Sequence, residues 1–87
     1  MSPRNENNKT ITFSIREEER DRERRAALRA VYDALSEKGY NPLNQIVGYI
    51  LTEDPTYITN HRNARAIMSR IDRDELMSAL LKVYLDI

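Results

Sequence analysis

The sequence predicts an all-α protein: a compact bundle of about four short helices, homodimeric, with a flexible N-terminal arm. Three observations carry this. The string Gly39-Tyr40-Asn41-Pro42 stops one helix and starts the next. Glycine suits the left-handed residue beyond a helix end, asparagine caps a helix N-terminus, and proline fits the first helical position, where no N–H is needed. Apolar residues also recur at three- and four-residue spacing in four separate segments, the pattern of helix faces. Finally, these faces are more than 87 residues can bury alone. A chain this small covers only about 60% of its unfolded surface, and dimers are the commonest way to bury the remainder.

Residues 1–15 read as the arm and residues 16–87 as the helical domain. Met1 to Lys9 has nothing to bury after Met1, so no burial offsets the entropy of ordering it. Thr10-Ile11-Thr12-Phe13-Ser14-Ile15 alternates polar and apolar residues, which predicts a short strand that must pair with something. Ser14 and Glu17 have the spacing of a capping box opening the first helix. Arg16 to Arg25 are all charged and read as a solvated helix face; a dedicated binding surface is the other reading. Leu28, Val31, Tyr32 and Leu35 then share an inward face.

The second helix spans about Pro42 to Leu51, with Leu43, Ile46, Val47, Ile50 and Leu51 on one face. Pro55 pushes Asp54 out of the helical region and ends it. Thr56-Tyr57-Ile58 is a connector. A third helix is expected from about Asn60 to Ile71, with Ala64, Ile67, Met68 and Ile71 inward. Asp72 and Glu75 open a fourth, from about Arg73 to Leu85, whose face is Leu76, Met77, Leu80, Leu81, Val83 and Tyr84.

Composition excludes several functions. Zero formal net charge gives no bulk attraction to nucleic acid or membrane. With no cysteine and one histidine there is no thiol nucleophile, zinc–thiolate site or recognisable triad. Glu17, Glu18 and Glu19 are consecutive on a helix and diverge, so they cannot converge on a metal. The expectation is a non-enzyme without cofactor or metal. No stretch approaches the roughly 20 apolar residues of a membrane span, and the polar beginning lacks a signal-peptide pattern, so a cytoplasmic location is expected.

Two segments are candidate sites. No acid occurs from Thr56 to Ile71, so His61, Arg62, Arg65 and Arg70 form a basic patch. It reads either as ordinary solvated charge or as an anion- or phosphate-recognition surface, because arginine presents a bidentate fork. A helix-turn-helix DNA reader is also conceivable, but zero net charge and only three arginines on the third helix argue against it. Thr10 and Thr12 flank Ile11 beside the polar tail, where a kinase has access. The plainer reading is strand or linker residues. The five tyrosines read as core and interface edges rather than a base-stacking platform.

The strings Lys38-Gly39-Tyr40-Asn41-Pro42 and Asn44-Gln45-Ile46-Val47-Gly48-Tyr49, together with Val31-Tyr32, Asp54-Pro55, Ala64-Arg65 and Arg73-Asp74-Glu75, resemble the IreB/ReoM family of small cytoplasmic regulators of Gram-positive bacteria. The resemblance runs from Thr10 onward. It implies a dimeric, mostly helical, non-enzymatic protein governing peptidoglycan synthesis and resistance to cell-wall antibiotics. Its partners would be a membrane-anchored Ser/Thr kinase with PASTA repeats and the opposing phosphatase. In one branch the unphosphorylated form promotes Clp-protease turnover of the UDP-N-acetylglucosamine enolpyruvyl transferase. By the match Thr10-Ile11-Thr12-Phe13, the family's phosphothreonine falls on Thr10, with Thr12 second. The family's arginine-bearing helix maps onto His61 to Arg73, making His61, Arg62, Arg65 and Arg73 partner-binding candidates. Thr59-Asn60 and Ser69 depart from the Pro-Arg and Arg common in relatives. The alternative function is a constitutive dimeric binding module, with nucleic acid as one conceivable ligand.

Overall fold

The computed structural model describes the backbone of residues 3–87 and the side chains of residues 15–87. Its elements are α1 (Pro3–Glu37), α2 (Pro42–Thr52), single 3-10 turns at Pro55–Tyr57 and His61–Asn63, α3 (Ala64–Ser69) and α4 (Arg73–Leu85). The four-helix, all-α expectation holds, although α1, at 35 residues, is long rather than short.

The strand expected at Thr10 to Ile15 is not formed; that backbone belongs to α1. Every other described element is helical, so a strand has no edge to pair with. Extending an existing helix adds one hydrogen bond per residue without a new nucleus. The side chains of Thr10, Thr12 and Ser14 lie outside the described residues.

The hairpin between α1 and α2 forms as its sequence dictates. Gly39 is left-handed, with φ +83°. The Tyr40 N–H donates to the Leu35 carbonyl and the Gly39 N–H to that of Ser36, both at 3.0 Å, which satisfies carbonyls that the ending helix would orphan. Asn41 Oδ1 accepts from the Asn44 N–H at 3.1 Å, and Pro42 opens α2. At the far end Glu53 takes a left-handed φ of 59°, and its N–H donates to the Tyr49 carbonyl at 2.7 Å. Asp54, ahead of Pro55, is extended (φ −79°, ψ 110°) as expected, and Glu53 closes the helix one residue before it.

The core draws residues from all four helices and from the connector. Val31, Ala34 and Leu35 of α1 meet Ile46 of α2, Ile58 of the connector, Ala64 and Met68 of α3, and Leu76 of α4. Burying each large side chain contributes about 1.5–3 kcal/mol. The third helix departs from expectation. The stretch from Asn60 to Ile71 is broken, because Arg62 (φ 52°) and Asn63 (φ 61°) are both left-handed. Asparagine tolerates this conformation; Arg62 is held in it beside an ion pair described below. α4 matches its expected bounds, and Asp72 Oδ1 accepts from the Asp74 and Glu75 N–H groups at 2.9 and 3.2 Å.

The expected inward faces are only partly inward. On α2, Ile46 is buried, but Leu43, Val47 and Leu51 are exposed, Leu51 to 75%. On α4, Leu76 alone is buried; Met77, Leu80, Leu81, Val83 and Tyr84 face solvent. Tyr32 is also exposed rather than part of the α1 face.

Candidate interaction site

The segment from Glu53 to Asn63 links α2 to α3 without a full helical turn of α type, so its backbone groups need partners elsewhere. Side chains from the flanking helices supply them. Gln45 Nε2–H donates to the Tyr57 carbonyl and Arg65 Nε–H to the Ile58 carbonyl, both at 2.9 Å. Between these two carbonyls the Ile58 side chain enters the core with no exposure. The Tyr57 ring lies against Gly48, where a Cβ would overlap it. Asp54 Oδ1 accepts from the Thr56 N–H at 3.0 Å and from its hydroxyl at 2.7 Å. These two bonds, hydroxyl first, hold the Asp54 carboxyl below its ordinary range, and the Arg65 charge adds to them. Thr59 Oγ1 accepts from the His61 N–H at 3.1 Å.

The basic residues divide into separate arrangements. His61 and Arg62 come together on one acceptor: the Glu37 carboxylate receives His61 Nε2 at 2.8 Å and Arg62 Nη1 at 2.7 Å. The His61 hydrogen bond, followed by that of Arg62, holds the Glu37 carboxyl below its usual range. Arg65 turns instead toward the connector backbone and is half-buried. Arg73 joins the start of α4 to the end of α2: its Nη1–H donates to the Ile50 carbonyl, and Nη2 pairs with Glu53 at 3.0 Å. Arg70 is exposed at the end of α3.

Four contributors escaped the sequence reading. Glu37 and Gln45 carry no local signal, because their partners are 24 and 12 residues away. Gly48 looks like any helical glycine until the ring of Tyr57 is placed on it. Asp54 was legible in principle, since Asp-Pro-Thr is a common side-chain-stabilised turn.

This geometry changes what Arg65 is expected to do. Removing a half-buried, charge-assisted bond to a backbone carbonyl costs about 1.5–3 kcal/mol. Arg65→Ala should therefore lower the thermal midpoint by several degrees, while Arg62→Ala, exposed and paired at the surface, should leave it within a degree or two. Circular dichroism melts check both, and equal midpoints would show that the Arg65–Ile58 bond contributes nothing.

The described residues form a small helical protein with uncovered apolar faces on α2 and α4 and a closely pinned connector. Comparison with known proteins identifies the kind. The family model described as "IreB regulatory phosphoprotein" matches residues 8–86, and the chain belongs to that family. It is 55% identical over 80 residues to a "UPF0297 protein" of Acetivibrio thermocellus, covering 92% of this chain and 88% of the relative. It is 53% identical over 79 residues to a "UPF0297 protein" of Ruminiclostridium cellulolyticum, covering 91% and 89%. The matched range includes Thr10, Thr12 and every residue of the connector.

Proposed function

We propose that this chain is a non-enzymatic regulator of peptidoglycan synthesis and cell-wall antibiotic resistance, switched by phosphorylation of Thr10, with Thr12 as a secondary acceptor. Membership of a regulatory phosphoprotein family over residues 8–86 carries the reading. A PASTA-type Ser/Thr kinase would add the phosphate and its phosphatase would remove it. The regulated step would be Clp-protease turnover of UDP-N-acetylglucosamine enolpyruvyl transferase. The uncovered faces of α2 and α4 support a homodimer. No described helix is long and apolar enough to cross a membrane, and the proposed location is the cytoplasm.

Phosphorylation adds about −1.5 to −2 charge and three acceptor oxygens. Along a continuous α1, Thr10 and Glu37 are separated by roughly 40 Å at 1.5 Å per residue. A phosphate on Thr10 therefore acts away from its own connector, on whatever molecule meets it. Incubation with the host kinase tests the assignment: Thr10→Ala should remove most phosphate incorporation and fix the regulator in its unphosphorylated activity. Phosphorylation of Thr10→Ala to the wild-type level would show that the site is misassigned. The constitutive-module alternative predicts no effect of the kinase on partner binding.

A further inference from the structure

We propose that His61 and Arg62 form a binding site for the phosphothreonine of a second copy's arm, and that Glu37 occupies this site as an internal competitor. The inference deepens the phospho-switch reading and rests on it for the carrier of the phosphate. His61 and Arg62 are neighbours in sequence, and neighbours on a regular helix diverge. Here the left-handed backbone at Arg62 and Asn63 interrupts the helix, and both side chains reach one carboxylate, at 2.8 and 2.7 Å. The two oxygens of Glu37 stand where two phosphate oxygens would stand. A phosphate monoester brings nearly twice the charge and a third acceptor oxygen, so it is the stronger ligand for the arginine fork, with the His61 ring nitrogen beside it.

Glu37 is free to yield. It is the last residue of α1, its carboxylate is about half exposed, and among the described residues its only ion-pair partners are these two. An exposed pair of this kind holds weakly, so displacement is cheap. No other acid occurs between Thr56 and Ile71 to repel an incoming phosphate. The carrier must come from elsewhere, because α1 spans roughly 31 Å from Arg16 to Glu37, more than the roughly 20 Å that the chain's own segment from Thr10 to Arg16 could bridge even fully extended. A second copy supplies the same segment without that constraint.

The test titrates the unphosphorylated full chain with a peptide of residues 5–17 phosphorylated at Thr10, with its unphosphorylated form and with inorganic phosphate, followed by calorimetry and by amide shifts at His61 and Arg62. The phosphopeptide should bind and the unmodified peptide should not. Arg62→Ala should weaken binding roughly tenfold or more, as expected for a lost charged hydrogen bond. Glu37→Gln should tighten it about two- to fivefold, the value of an exposed pair. Equal binding of the two peptides, wild-type affinity in Arg62→Ala, or wild-type affinity in Glu37→Gln would each overturn the proposal. The kinase assay separates the two readings. A chain whose Thr10 is not phosphorylated, but which binds phosphopeptide with these variant effects, retains the site and loses the switch. A chain phosphorylated on Thr10 whose phosphopeptide binding ignores Arg62 retains the switch and loses the site.

Discussion

Ile58→Ala should destabilise the protein by about 2–4 kcal/mol, the usual range for truncating a fully buried aliphatic side chain. Ile58 belongs to a connector, where truncations are normally mild, yet it has no exposure and lies in the same core cluster as Leu35, Met68 and Leu76. The backbone on either side is pinned by Gln45 and Arg65, so the cavity cannot close by letting the connector sink inward. In a domain this small each kcal/mol moves the midpoint by about 4–8 °C. The variant should therefore melt on the order of 10 °C or more below wild type. A shift of only a degree or two would mean that the connector is a loop laid over a core that does not need it.

Gly48→Ala should also be destabilising, against the usual direction for a helix interior. In an open helix this change gains up to about 1 kcal/mol from propensity. Here the new methyl would overlap the ring of Tyr57, and overpacking of this kind costs about 1–3 kcal/mol. Gln45 holds the Tyr57 backbone, so relief must come from rotating a ring that is half-buried against the core. The net expectation is a loss of up to about 2 kcal/mol by difference. Adding Tyr57→Leu should remove most of the penalty, so the two changes couple. If Gly48→Ala melts above wild type, the Gly48–Tyr57 contact does not constrain the fold.

What was legible in the sequence is what is decided locally. Gly39, Asn41, Pro42 and Asp72 specify helix ends through their own backbone preferences and short-range hydrogen bonds, and each appears in that role. Periodicity found the helices but not their depth. Leu43 and Ile46 fit the same stripe, yet only Ile46 is buried, because the stripe does not say which flank meets α1 and the connector. The third helix was read as continuous since nothing in Asn60-His61-Arg62-Asn63 forbids helix; the break depends on tertiary partners such as Glu37. The candidate site shows the same division. His61, Arg62, Arg65 and Arg73 were visible as a charge cluster, but their separation into one ion-paired couple and two backbone clamps depends on acceptors from distant segments.

The length of α1 has a practical consequence for weighing the particle. The radius of gyration is 16.3 Å and the longest dimension 58 Å, whereas a compact chain of this length would have a radius of gyration of about 12 Å. Drag follows shape as well as mass, so a single 10.2 kDa chain should leave a gel-filtration column early, in the volume of a heavier sphere. Retention alone would then not tell one elongated rod-and-bundle from a pair of subunits. Light scattering or sedimentation equilibrium, which respond to mass independently of drag, distinguishes elongation from association and should be the measure against which α2- and α4-face variants are compared.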